Sequence, residues 1–390
     1  MYFKRIILTG FSFLLGICLF AQEIRNEDEA ATESARLYNE KKWKELMVFG
    51  KTTLDAGIDF PLLRMRTGYA AFVLGNYGES LKQYENVYKK DPENKTALYY
   101  SYLNNVYLNN SSAARFYGSK MPEETQTAEK LKATKLSGAN LEFSYKIPDQ
   151  TVRGNAQYFK AGVQAELGYR LQWQNAFAMY NQTIDEPLLT SVNNNHNIKI
   201  AQKEYYTKLS FAATSHISII GGLHYLYTPF NNFIYNNYIG FGGVKLTSPF
   251  IHFQFLLERG RIRDSFYQQI DFVVSSYPYG NTKLYTITRG GMTDETVAFT
   301  EVIGYRILKN IWLEGNVTIG KYEKLLGNDA LYVYDDIDTK KLRAGASIYA
   351  LAGKNTTVII NYNFDRKSLY GRPNINFNQQ SITGGLQWNF

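Results

Sequence analysis

From Asn140 to Phe390 the chain alternates between apolar and polar side chains with a period of two. Nowhere after the first twenty residues is there an unbroken apolar run of the roughly 20 residues that a membrane helix needs. A strand puts successive side chains on opposite faces. The final stretch places Ile382, Gly384, Leu386, Trp388 and Phe390 on one face, and Ser381, Thr383, Gly385, Gln387 and Asn389 on the other. Earlier, Phe159, Ala161, Val163, Ala165 and Leu167 alternate with Lys160, Gly162, Gln164 and Glu166. One such strand would suit a soluble sheet, but the pattern recurs over two-thirds of the chain. Segments at 139–147, 158–173, 176–183, 199–213, 216–227, 235–247, 250–259, 264–277, 281–289, 296–307, 310–322, 340–352, 355–364 and 379–390 predict a barrel of about 14 strands.

The connections alternate in length as well. Gln174-Asn175, Thr214-Ser215, Ser248-Pro249, Leu308-Lys309 and Gly353-Lys354 read as tight turns, while 184–198, 323–339 and 365–378 read as long external loops. Short turns on one side and long loops on the other are the habit of bacterial outer-membrane barrels. Trp173, Phe177, Phe250, Tyr277, Tyr279, Trp388 and Phe390 gather toward the short-turn side, as an interfacial aromatic belt would. Strands three, six and nine alternate poorly, and Glu301 falls on the apolar face of strand ten unless a bulge resets the register.

The start of the chain agrees with that address. Lys4 and Arg5 precede an uncharged run from Ile6 to Phe20, ending at Ala21 before Gln22. A basic start, a short apolar stretch and a small residue at the break predict a cleavable signal over 1–21. The single cysteine, Cys18, lies inside it, behind Ile17 where lipid attachment wants a small residue. The mature chain is therefore expected to lack thiols, disulfides and thiolate metal sites.

Between the signal and the strands, 22–118 has helical spacing and a 34-residue repeat, with Trp43 lying 34 positions before Tyr77. The residues from Pro61 to Asn94 resemble a tetratricopeptide unit. Gly68 stands where the two helices cross, Gly75-Asn76-Tyr77 at their turn, Ser80 and Tyr84 on the packing face, and Asp91-Pro92 at the end. The resemblance implies three units, clearest at 61–94. In the first, Lys41 replaces the turn glycine; in the third, Tyr102 and Asn109 replace both glycines. Pro122-Glu123-Glu124-Thr125 starts a polar helix expected to reach about Lys135, so that 119–137 caps the array and leads into a barrel over 138–390. The fold expected is an α + β multidomain chain: an N-terminal α-helical tetratricopeptide solenoid and a C-terminal antiparallel transmembrane β-barrel.

The residues suited to chemistry are sparse. His216, His224 and His252 are placed on the lumen face and His196 in a loop, with no serine or aspartate at a spacing that singles it out. Asp335-Asp336-Ile337-Asp338 lacks the glycine and terminal glutamate of a calcium loop and reads as a solvated external loop. The chain is thus read as non-enzymatic, with no cofactor and no metal. The formal charge of +8 has no clustered basic stripe, which argues against nucleic acid. Lys160, Glu166, Arg170, Glu204, Lys208, Glu258, Asp271, Glu314 and Arg343 are expected to face the lumen. Mixed sign there suits either a weakly selective channel or a network of ion pairs that plugs the interior.

Helical repeats followed by a barrel resemble, in domain order, the exopolysaccharide-secretion porins and the YaiO-type outer-membrane proteins. The Gln22 start and the Tyr- and Asn-rich barrel look like proteins of the Bacteroidetes. The resemblance implies an outer-membrane channel or secretion component with its repeats in the periplasm. The partners implied are membrane lipid, a periplasmic protein docked on the repeats, and the barrel-assembly machinery reading Trp388 and Phe390. The alternative is a non-conducting barrel that anchors a scaffold for an envelope complex.

Overall fold

The computed structural model describes residues 26–185, 197–230 and 233–390. The expected signal, Cys18, Gln22 and His196 lie outside them. Six helices come first: α1 (Glu27–Asn39), α2 (Trp43–Asp55), α3 (Pro61–Val73), α4 (Tyr77–Lys90), α5 (Lys95–Tyr107) and α6 (Ser111–Gly118). The period of 34 is carried by the backbone. Left-handed residues recur at Lys41, Gly75 and Asn109, and α1, α3 and α5 start at positions spaced by the same 34. Asn76 caps α4 by accepting from the Glu79 amide at 3.0 Å, and Asn94 caps α5 by accepting from Ala97 at 3.0 Å. Such caps satisfy amides that the helix itself cannot. Burial of Leu37, Leu46, Leu63, Ala70, Tyr84, Val87, Leu98 and Tyr117 holds the helices together.

Asp59, just before α3, joins it to α4 by accepting from Arg64 at 2.6 Å and Lys90 at 2.9 Å. The Arg64 hydrogen bond, opposed by partial burial and aided by Lys90, lowers the Asp59 carboxyl to about 2. Its folded pKa is depressed, so the contribution is present at neutral pH and lost as pH falls toward 2. Asp59→Asn is expected to destabilise the helices by less than about 1 kcal/mol at pH 7, since solvent screens the pair. Thermal melts followed by helical circular dichroism should show wild type and variant converging as the pH is brought to about 2.

The short α7 (Glu123–Ala128) ends well before Lys135, correcting the longer capping helix expected; left-handed Lys130 comes just after it. Fourteen strands then close on themselves: β1 (Lys135–Pro148), β2 (Arg153–Leu167), β3 (Leu171–Asp185), β4 (Asn197–Ala212), β5 (Ile217–Phe230), β6 (Phe233–Thr247), β7 (Ile251–Ile262), β8 (Ser265–Ser276), β9 (Leu284–Thr293), β10 (Val297–Leu308), β11 (Ile311–Gly327), β12 (Tyr332–Ala352), β13 (Thr356–Leu369) and β14 (Arg372–Asn389). β1 closes on β14 from Gly138↔Asn389 to Pro148↔Gln379, leaving no edge. The outward face carries exposed Phe143, Phe177, Ile219, Phe253, Phe272, Ile303, Leu313 and Ile360. A closed antiparallel barrel with such an apolar exterior satisfies its backbone internally and spans an outer membrane.

Several features differ from those expected. The stretch 365–378, read as a long external loop, is strand on both sides of a tight Tyr370-Gly371 turn, since β13 runs to Leu369, β14 starts at Arg372 and Gly371 turns at φ +67. The second turn is Gly168–Arg170, not Gln174-Asn175, because Gly168 turns at φ +66 where the alternation of side chains runs on unbroken. Glu301 stays outward between exposed Phe299 and Ile303, with the β9 and β10 ladders unshifted there. No bulge rescues it; instead the Thr288 hydroxyl donates to its carboxylate at 2.6 Å.

Candidate functional site

β11 and β12 both run on past the wall of the barrel, and the connection between them does not stay outside. At Gly320 the backbone takes φ +144, and an added Cβ would meet the Val297 carbonyl oxygen at 2.7 Å. Register shifts at Ile319/Tyr322, Tyr322/Lys324 and Lys340/Leu342 accompany the bend. Irregularities of this kind bend a strand and re-aim the side chains beyond the bend. The ladder resumes from Lys324↔Asp335 to Gly327↔Tyr332, forming a hairpin folded into the lumen. This corrects the expectation that 323–339 is a solvated external loop.

The hairpin packs against one half of the wall. Leu326, Ala330, Leu331 and Val333 join an apolar cluster with inward Tyr206, Leu226, Ile239, Phe241, Leu256 and Tyr267. Gln269 clamps Leu326 by accepting from its N–H at 2.9 Å and donating to its carbonyl at 3.1 Å. At the tip, Asp329 accepts from Lys208 at 2.9 Å and Gln254 at 2.7 Å, while its carbonyl accepts from the Tyr206 hydroxyl at 2.9 Å. His224 Nδ1 donates to the Ala330 carbonyl at 2.6 Å. Lys208 is near the end of β4 and Gln254 near the start of β7, so the tip reaches the short-turn part of the lumen. Asn328, Asp329 and Ala330 are all left-handed, at φ 51, 59 and 58. That conformation costs roughly 1–2 kcal/mol per ordinary L-residue, and the pinned tip offsets it.

Ion pairs close the opposite, long-loop end. Arg153 meets Asp338 at 2.7 Å and Arg263 meets Asp335 at 2.7 Å; Asp336 takes both Lys367 at 2.5 Å and Lys340 at 3.2 Å. These acids, which by sequence alone suit a solvated loop, are the hairpin's own anchors. The Tyr332 hydroxyl donates to Glu142 at 2.6 Å and touches Lys160.

Most of the expected lumen charges are engaged within the barrel. Lys160 pairs with Glu142 at 2.7 Å, Glu204 lies 3.2 Å from His224, and Lys208 holds the hairpin tip. Asp271 pairs with Arg289, and Arg343 with Asp365 at 2.7 Å. Glu314 accepts from the Tyr285 and Tyr349 hydroxyls at 2.9 and 3.3 Å. Glu258 is fully buried, and neither of its carboxylate oxygens has a hydrogen-bond partner among the described residues. Glu166 sits at the short-turn rim, paired with Arg115 of α6 at 3.0 Å. Two placements are corrected. Arg170 belongs to the β2–β3 turn and lies over the Phe116 ring at 4.8 Å, and His216 lies in the β4–β5 turn, 3.8 Å from Glu85 of α4. His224 and His252 are inward and buried.

Opposite the packed half, the hairpin leaves a polar cavity of roughly 870 Å³. Asn140, Asn316, Asn361, Asn363, Thr383 and Gln387 face it from β1, β11, β13 and β14. The helices lie across the short-turn end. The Gly78 N–H donates to the Gly280 carbonyl at 2.8 Å, Asn281 donates to the Gly75 carbonyl at 2.8 Å, and Arg115 donates to the Leu171 carbonyl at 2.9 Å. These hydrogen bonds tie the helices to the β2–β3 and β8–β9 connections.

Of the residues assigned to helix packing, Gly68 backs onto Tyr84, where a Cβ would meet its ring at 3.0 Å. Tyr77 opens α4, Pro92 lies just past its end, and buried Ser80 accepts from Asn104 at 2.9 Å. Gly78, unremarked in the sequence, seats the helices on the barrel. A Cβ there would meet the Pro249 carbonyl at 2.8 Å and the Gly280 Cα at 2.9 Å. Both are backbone atoms, so Gly78→Leu is expected to lift the helices off the short turns while leaving each part folded. Limited proteolysis should then cut the stretch after α7, with the heat-modifiable barrel unchanged; resistance equal to wild type would show that Gly78 is not the seat.

Neither a protein-family model nor a curated relative matches the chain. Among solved structures it is similar to a FadL homologue from Pseudomonas aeruginosa, at 8% identity and a TM-score of 0.47, covering 76% of this chain and 94% of that one. It is also similar to the translocator domain of the autotransporter NalP from Neisseria meningitidis, at 12% identity and 0.32, covering 73% and 99%. The NanC porin matches at 12% identity and 0.33, covering 65% and 100%.

Proposed function

We propose that this chain is a gated outer-membrane channel, closed by the β11–β12 hairpin, whose periplasmic helices dock a protein partner. The observation that carries the reading is the hairpin itself: a self-supplied element held in the lumen by non-covalent contacts, beside a polar cavity that a mere anchor does not need. The helices are read as tetratricopeptide-like from their spacing of 34 and from Gly68 and Gly75 at the crossing and the turn. Exposed Val48, Leu62, Val106 and Tyr107 support the docking role. The pairing of most lumen charges favours the second reading, a non-conducting anchor for an envelope scaffold.

The two readings part on whether the hairpin must move. The only cysteine is Cys18, so Asp329→Cys with Lys208→Cys introduces a single pair that a cleavable bismaleimide can bridge. A gated channel should show conductance events in planar bilayers that the bridge abolishes and reductant restores. A barrel silent at every voltage, bridged or not, would leave the anchor reading in place.

A further inference from the structure

The long-loop half of the cavity holds more positive charge than its carboxylates neutralise. Arg153 is matched by Asp338, and Arg343 by Asp365 in a two-point contact at 2.7 and 2.9 Å. Asp336 serves two ammoniums, Lys340 and Lys367, and accepts the Asp338 amide at 3.2 Å as well. Lys146, inward on β1 in the same group, has no carboxylate partner among the described residues; its Nζ lies over the Tyr180 ring at 5.1 Å. A second, independent gap lies beside it. The Tyr158 hydroxyl on β2 lines the same cavity, is sequestered from solvent, and has no hydrogen-bond partner among the described residues. Register sets the two a diagonal step apart on the inward faces of β1 and β2: Ser144 pairs with Tyr158, Lys146 pairs with Ala156, and Tyr158 pairs with Tyr180; Glu142 and Glu204 also face the Tyr158 side chain. Ser381, opposite Lys146 on β14, adds a hydroxyl to the lining.

A buried hydroxyl without an acceptor and an ammonium without an anion are complementary deficits. Buried polar groups are otherwise almost always satisfied, and a cavity walled by low-dielectric material concentrates counter-ions of the opposite sign. One ligand class answers both, an anion with an oxygen to spare for the tyrosine. We infer that the cavity binds a small carboxylate- or phosphate-bearing solute between Lys146 and Tyr158. This names the substrate class of the channel proposed above and rests on that reading for its role in passage; the binding itself does not depend on gating.

Titration calorimetry on the purified full-length barrel, with succinate and with inorganic phosphate against chloride at matched ionic strength, tests the site. Saturable heat is expected with at least one of the two oxyanions and none with chloride, and the oxyanion that binds identifies the head group. Lys146→Met should weaken binding roughly tenfold, as loss of a charge-assisted hydrogen bond does, and Tyr158→Phe by roughly threefold, as loss of a neutral one does. Lys146→Arg should retain binding, and Lys341→Met, outside the cavity, should leave it unchanged. Should Lys146→Met fail to fold, the Arg and Phe variants still decide the matter. No saturable heat in wild type, or unweakened binding by both Lys146→Met and Tyr158→Phe, overturns the site. Binding by a barrel that never conducts upholds the site and removes the channel reading instead.

Discussion

Replacing residues 325–337 with a two-residue Asn-Gly turn is expected to convert a closed barrel into a steady pore. The segment supplies the contacts that fill the lumen, from the Leu326 clamp at Gln269 to the Asp329 contacts at Lys208 and Gln254, and leaves Asp338 with Arg153 and Lys324 with Ile262 at its base. Fourteen strands enclose more room than the filled eight-stranded barrels, so removing the filling should raise conductance at least about tenfold over the intact protein. The cost falls on stability. Leu226, Ile239, Leu256 and Phe241 lose their cover, and each fully buried side chain of that size is worth roughly 1.5–3 kcal/mol. The variant should therefore unfold at lower temperature in a heat-modifiability assay while conducting continuously in planar bilayers. A shortened barrel that stays silent would mean that some other element closes the lumen.

The same inward apolar residues explain what the sequence could and could not convey. The strand count, the closing strand and the helical period of 34 were legible because each is a local periodicity. The hairpin was not, because its partners are remote: Asp338 finds Arg153 across 185 positions, and Asp329 finds Lys208 across 121. Four residues with three aspartates look solvated until the cations that neutralise them are known. One signal was present. β6 alternates poorly because Ile239 and Phe241 are apolar on the inward side as well, packed on the hairpin rather than facing water. An open channel has no use for such a lumen, so failed alternation was evidence of filling. Arg170 and His216 were misplaced for a simpler reason. The alternating pattern of their strands runs on into the turns, where both side chains engage the helices instead of the lumen. Glu258 had no sequence signal for its isolation, because nothing local tells a paired inward carboxylate from an unpaired one.

Deleting Phe390 is expected to lower the amount of inserted barrel sharply and to change the heat resistance of the inserted fraction very little. β14 ends at Asn389; Phe390 adds only an N–H donated to the Ser137 carbonyl at 3.1 Å and a ring left largely exposed at the outer surface. A side chain so exposed contributes little packing within the barrel, well short of the roughly 1.5–3 kcal/mol of a fully buried one. Trp388 is registered against Ala139 and Thr356, so the strand itself stays paired without the last residue. What the deletion removes is the terminal aromatic of the closing strand, the feature proposed to be read by the assembly machinery together with Trp388. Outer-membrane fractions of cells making the truncated chain should hold little heat-modifiable barrel, and periplasmic proteases should degrade the rest. Normal insertion with a lowered melting temperature would reverse the assignment, making Phe390 one more aromatic of the interfacial belt.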